Sequence, residues 1–260
     1  MQIVKKETAL SRCLLISLAL AAILNLPALG ELLDVRIVGR GVLMIPAIGL
    51  DYMVTFFHEI GHTIANWLFG YTALPTFDFQ NGGGMTYTLS ERSRILQGVF
   101  MLAIIAGNFW LFIHKEYGWL KISVPILLFY LVISFTQGHE AVIAFMGHGA
   151  EMAVAGFCLW RGCLNKTVNA VERWLNLVLG FYIVLRDTIL LGGLIHSDIA
   201  RMAYSMQKGG EIQGDIDRIA DLLNMSTVSA AGLALGFMAV VLTITAYAVC
   251  RSRAATDIIV

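Results

Sequence analysis

Charge is what this sequence has least of. Only 14% of its 260 residues are Asp, Glu, Lys or Arg, against roughly 25% in a soluble domain. Hydrophobic residues reach 58% and the mean hydropathy is +0.75, which excludes an ordinary soluble fold. The apolar runs are long and continuous, so the spanning elements are helices and not barrel strands. The 18 Lys and Arg balance 18 Asp and Glu. No basic surplus exists to draw nucleic acid, and neither nucleic acid nor a nucleotide is expected as a partner. Four cysteines (Cys13, Cys158, Cys163, Cys250) form no CxxC pair, which excludes a disulfide framework and a thiolate metal site. Cys158 and Cys163 are expected to be inert packing residues. Only four prolines punctuate the chain, and no repeat or low-complexity segment is evident.

What is present divides into apolar runs and polar breaks within one integral membrane domain, 1–260. Lys5, Lys6 and Arg12 precede a run at about 13–33. That run reads as an uncleaved first span, with a signal peptide ending near Ala28-Leu-Gly30 as the alternative. A second run covers 41–69. Further runs fall at 95–113, 122–137, 141–160 and 174–195; the 122–137 run is short for a crossing. The stretch 196–226 is the longest polar segment, containing Lys208-Gly-Gly210, and a last span covers 227–250. Cytosolic placement of both Lys5/Lys6 and Arg251/Arg253 follows from the positive-inside rule. It requires an even number of crossings, six if the 122–137 run is re-entrant. The 196–226 segment then falls on the opposite side. The expected fold is an all-α polytopic membrane protein with six to seven transmembrane helices.

The chemistry sits in the second run, at His58-Glu59-Ile-Gly-His62. Positions i and i+4 share a helix face one turn apart, so two imidazoles so placed can bind one Zn2+ through neutral nitrogens. Glu59 falls on the flank of such a metal, where a carboxylate takes a proton from the attacking water. The flanks of the motif are nearly uncharged, and ionisable groups buried there are costly unless they serve a site. The plain alternative is a histidine pair satisfied by interhelical hydrogen bonds.

Hydrolytic zinc needs a third protein ligand and one open position. His148 and Glu151, spaced i, i+3 beside Gly147, Gly149 and Ala150, share a face that a neighbouring helix can approach closely. Glu151 is the preferred third ligand, with His148 or Asp187 as alternatives. His148 is otherwise a donor to a developing oxyanion. Asp187 has Arg186 beside it to neutralise it. His139, Glu140 and His196 lie at span ends, where they are expected to be solvated, and Asn108 is expected to bond a neighbouring helix. After the motif, Phe77, Phe79, Tyr87 and several threonines favour extended backbone, and Asn81-Gly82-Gly83-Gly84 favours a turn. A short hairpin at 75–89 is expected. Gly82, Gly83 and Gly84 supply conformational freedom, and its edge can pair with an extended substrate.

On His58-Glu59-Ile-Gly-His62 within an apolar helix, and on the following Asn81-Gly-Gly-Gly84 stretch, the chain resembles the site-2 protease family of intramembrane zinc metallopeptidases. The segment Asp215-Ile-Asp-Arg-Ile-Ala-Asp-Leu-Leu is loosely similar to a downstream stretch in some bacterial members. The resemblance implies that His58 and His62 bind zinc and that Glu59 activates water. It also implies that the substrate is a transmembrane protein, cleaved in or near its membrane segment within the lipid bilayer. A bacterial inner membrane is the expected location. The family takes its third ligand from a Leu-Asp-Gly motif, which this chain lacks, so that ligand does not carry over. The function expected is therefore an intramembrane zinc endopeptidase. The alternatives are a metal-binding transporter or assembly factor that retains the fold, or a zinc hydrolase acting on lipid.

Overall fold

Long uncharged runs satisfy their backbone polar groups most cheaply as helices, since lipid supplies no hydrogen-bond partners. The computed structural model describes residues 2–32, 40–78, 83–206 and 213–257. Its helices are α1 (Gln2–Leu32), α2 (Arg40–Leu68), α3 (Arg94–Ile113), α4 (Tyr117–Ile133), α5 (Gly138–Cys163), α6 (Ala170–His196), α7 (Asp198–Ser205), α8 (Asp215–Leu222) and α9 (Thr227–Asp257). Six of them, α1, α2, α3, α5, α6 and α9, are long and apolar enough to cross a membrane. The protein is a multi-pass helical membrane protein. Three of the four prolines, Pro27, Pro46 and Pro125, sit inside these helices and do not end them. Membrane helices tolerate this because neighbours re-satisfy the freed carbonyls.

Polar residues set the helix ends. Ser93 caps α3, its hydroxyl accepting Leu96 N–H at 3.2 Å, and Asn169 caps α6 by accepting Glu172 N–H at 2.8 Å. Each such cap stabilises by about 1 kcal/mol. At the end of α2, Gly70 adopts φ +90°, where a side chain is strained, and its backbone lies against Ser93 and Gln97. That turn lets the chain reverse into the hairpin β1 (Ala73–Asp78) and β2 (Gly83–Thr88). The strands pair antiparallel from Ala73↔Thr88 to Asp78↔Gly83. β1 runs back alongside α2: Trp67 Nε1 donates to Ala73 O at 2.9 Å, and Phe77 stacks on Phe56 and meets Tyr52 edge-on.

α5 is the most buried of the long helices and stands between α2, α6 and α9. Its core with α6, α8 and α9 joins Ala144, Met152, Leu191, Leu194, Ile216 and Ala231. α3 and α4 lie at the edge as an antiparallel pair, tied by Ser123 Oγ donating to Asn108 Oδ1 at 2.8 Å, the interhelical role expected of Asn108. The fourth run is helical from Tyr117 to Ile133, and it returns to the end where α3 began, so its two ends do not lie on one side as the re-entrant reading required. Tyr130 Oη donates to Leu68 O at 2.5 Å, and Arg92 joins Phe69 O to Ser134 O.

The polar segment 196–226 holds two short amphipathic helices, α7 and α8, where the sequence reading had only a polar loop; Lys208 to Gly210 lie outside the described residues. Ile216, Ile219 and Ala220 of α8 are buried against α5 and α9. His139 differs from expectation, being buried and held between Tyr71 Oη at 3.0 Å and the Thr136 carbonyl. The aromatic end of α2 covers it. His196 is exposed, as expected.

Cys13 of α1 packs in the cluster that includes Cys163, and Arg253 Nη2 donates to Cys163 O at 2.9 Å. The first and last helices therefore share the end of the bundle marked by Cys163. The hairpin and α8 lie at the opposite end, beside the end of α2. Arg161 near the end of α5, Lys166 in the following loop and Arg173 in the first turn of α6 lie at the Cys163 end, which the positive-inside rule assigns to the cytosol. Single cysteines at 12 and 251, in a cysteine-free background, are expected to react with an impermeant thiol reagent from one side and position 201 from the other. Labelling of 12 and 251 from opposite faces would refute this arrangement.

Candidate metal centre

The helical spacing of His58 and His62 places both rings on the face of α2 that meets α5. The approach is close because small residues line it. A Cβ on Gly61 would fall 2.1 Å from Met146 O, and one on Gly147 would fall 2.4 Å from His62 Nε2 and 2.5 Å from His58 Cε1. The two Nε2 atoms lie 3.0 Å apart. Asp215, the first residue of α8, brings Oδ2 to 2.8 Å from His58 Nε2 and 3.0 Å from His62 Nε2.

The outer nitrogens of both rings are engaged. His62 Nδ1 is 2.7 Å from the Ile143 carbonyl, which only accepts, so Nδ1 carries the hydrogen. His58 Nδ1 is 3.1 Å from Glu151 Oε1. In the neutral rings both Nε2 atoms then hold lone pairs. Three acceptors, two imidazole nitrogens and a carboxylate oxygen, face one another with no hydrogen among them. Such a set is repulsive until a cation enters it. Nitrogen and oxygen ligands about 2.0–2.1 Å from Zn2+ in a tetrahedron lie about 3.3 Å apart, so the observed spacing fits within a few tenths of an ångström.

Behind His58 lies a second cluster. Glu151, wholly buried, divides its oxygens: Oε1 to His58 Nδ1, Oε2 to His148 Nδ1 at 3.1 Å. Arg186 Nη1 reaches Glu151 Oε1 at 3.2 Å, and Arg186 Nε reaches Asp51 Oδ1 at 2.9 Å. Asp187, also wholly buried, is 3.9 Å from both Arg186 Nη1 and His148 Nδ1. His58, His148 and Glu151 thus form a second triad of metal-ligand type, yet the guanidinium at its carboxylate already supplies a cation. Breaking a buried charge pair of this kind costs about 3–5 kcal/mol.

Glu59 points to the other flank of α2. Its Oε2 accepts from Thr86 Oγ1 at 2.7 Å, and the same hydroxyl lies 3.1 Å from Glu59 O. Gly84 is needed there for contact and not for conformation: a Cβ would fall 2.4 Å from Glu59 Cγ, while Gly83 and Gly84 lie in the extended strand without positive φ. The freedom of φ expected of these glycines is thus corrected at both positions, and Gly82 lies outside the described residues. A cavity of about 710 Å³ joins His58, Glu59, His148, Thr86, Tyr204 and Asp215. Tyr204 Oη accepts Ile216 N–H at 3.2 Å and so fixes the start of α8.

Of the residues singled out in the sequence, His58, Glu59, His62, His148, Glu151, Gly83 and Gly84 meet around one cavity, and Asp187 stands just behind it. Sequence reasoning missed Asp215 as a partner of the two histidines, Thr86 as a partner of Glu59, and the Asp51–Arg186 arm. The pattern Ile216-x-x-Ile219-Ala220, apolar on one helical face after Gly214, is the signal that could have marked α8 as docked. Gly147→Ala is expected to force the imidazoles apart and abolish zinc retention with helical circular dichroism unchanged. Gly149→Ala, whose Cβ meets only the Phe145 and Met146 side chains, keeps zinc. Equal zinc in the two variants would show that the close approach at Gly147 does not set the pair.

A search of curated proteins and of solved structures finds no match to the chain. A family model described as Peptidase M50B-like matches residues 15–248, a stretch that holds both motif histidines, Glu59, Glu151 and Asp215. That match covers most of the 260 residues, and the chain belongs to the Peptidase M50B-like family, that of the site-2 proteases.

Proposed function

We propose that this protein is a zinc-dependent intramembrane endopeptidase in which His58, His62 and Asp215 hold the metal and Glu59 is the general base. The observation that carries the reading is the convergence of three lone-pair atoms within 3.0 Å of one another. Two i, i+4 histidines alone satisfy each other in many ways; a carboxylate aimed at both Nε2 atoms does not. In this reading Glu151 serves from the far side of His58. The family's usual source of a third ligand, absent here, is replaced by an aspartate on a peripheral helix.

Zinc in this class of site polarises the scissile carbonyl and makes water acidic near neutral pH. The chain's own groups do the rest. Glu59, on the cavity flank, takes the proton of the attacking water and returns it to the leaving amine. Thr86 holds Oε2 of that carboxylate in place. Strand β2 lines the cavity beside Glu59, and a substrate unwound from its helix lies extended along it, because a helical peptide bond is shielded from attack. The neutral His148 ring gives Nδ1–H to Glu151 and has no hydrogen left on Nε2, so it acts on the site through Glu151 and not as an oxyanion donor. The substrate class is the transmembrane segment of another protein, and the setting is a lipid bilayer, with a bacterial inner membrane the preferred location.

Purified protein is expected to carry about one equivalent of zinc and to cut a model transmembrane substrate. Asp215→Asn loses the metal and the cleavage together. Glu59→Gln keeps the metal and loses activity by ~10²–10⁴-fold, the usual contribution of a general base. Zinc content and cleavage measured side by side decide it: full zinc in Asp215→Asn overturns the ligand set, and full cleavage by Glu59→Gln overturns the protease.

A further inference from the structure

The proposed reaction leaves one set of groups unused, the charged arm that runs from Asp51 through Arg186 to Glu151. Asp51 is on α2, two turns before His58. Arg186 is on α6, and Glu151 on α5. Arg186 joins the two acids with different nitrogens, Nε to Asp51 at 2.9 Å and Nη1 to Glu151 at 3.2 Å. Tyr182 Oη, from the same helix, donates to Asp51 Oδ1 at 2.9 Å. We propose that Arg186 is a positioning residue for the metal: it clamps Glu151 so that the carboxylate holds the His58 ring with Nε2 turned to His62 and Asp215. This rests on the reading that those three residues bind zinc.

The geometry supports the clamp in three ways. Glu151 Oε1 has two neighbours, His58 Nδ1 and Arg186 Nη1, so the guanidinium fixes the oxygen that fixes the ring. The other oxygen is held by His148, so the carboxylate has no freedom to swing from His58. Finally, Asp51 and His58 ride on one helix, so the far end of the arm is anchored to the element that carries the ligand. A carboxylate behind a ligating histidine sets its tautomer and ring direction, and loss of such a partner typically costs 10–100-fold in metal affinity. Lysine cannot replace Arg186, because a single ammonium does not offer two separated donors in a fixed fork.

The test measures zinc affinity by chelator competition, and the visible spectrum of the cobalt(II)-substituted protein, for the parent and for Arg186→Met, Arg186→Lys, Glu151→Gln and the Arg186→Met/Glu151→Gln double variant. Arg186→Met is expected to bind zinc 10–100-fold more weakly and to shift the cobalt bands, and Arg186→Lys does not restore either. In the Glu151→Gln background, Arg186→Met adds no further loss, because the arm acts only through Glu151. Should Arg186→Met fail to accumulate in folded form, Asp51→Asn reads the same arm from its half-exposed end, with a several-fold loss expected. Parental affinity and spectrum in Arg186→Met, or in Asp51→Asn where that stands in for it, overturn the clamp alone, as do additive losses in the double variant. A parent that binds no zinc overturns the metal reading and the clamp with it.

Discussion

Three acceptor atoms held face to face are the constraint on which this structure turns. His58 Nε2, His62 Nε2 and Asp215 Oδ2 stand 2.8–3.0 Å apart on the wall of the cavity. Without a cation between them this arrangement is a cost, and the surrounding fold bears it through specific contacts. The Ile143 carbonyl takes the outer hydrogen of one imidazole and Glu151 that of the other. Each of these partners comes from α5. That helix consequently lies at the centre of the bundle, with α2, α6, α8 and α9 against it.

Close approach is the second requirement, and small residues meet it. Gly61 lets α5 come against α2, and Gly147 leaves room for both imidazoles at once. In lipid no hydrophobic drive pulls helices together, so short side chains and interhelical polar contacts carry that task. The same logic appears on the other flank, where Gly84 lets β2 lie directly on Glu59 and Thr86 bonds its carboxylate. The hairpin is thus tied to Glu59 as well as to the aromatic face of α2.

Buried charge is concentrated in one place. Glu151 and Asp187 are wholly buried, and Arg186 stands beside both with Asp51 at its outer end. Away from the histidines these groups would be hard to justify in an apolar bundle. Next to them they make a polar wall behind His58. α8 completes the site from the other side, held by Ile216, Ile219 and Ala220 in the core and by the Tyr204 hydroxyl at its first turn.

The motif pair, its helix, the glutamate on the flank, the hairpin after it and the long apolar helices were all determined by sequence alone. Each depends on local periods, 3.6 residues for helix faces and 2 for strands, or on a continuous apolar run, and such patterns survive without tertiary information. His148 and Glu151 were legible as candidates for the same reason: two ionisable groups in an apolar stretch at one helical face. What their atoms touch was not legible. Only the tertiary structure brought Asp215 to His58 and His62 across 157 and 153 residues of chain, from a segment whose polarity reads as an outer loop. It also gave Glu151 to the outer nitrogen of His58. The physical reason is that a ligand set is defined by where lone pairs meet in space. A short amphipathic helix carries no local mark of the surface on which it docks.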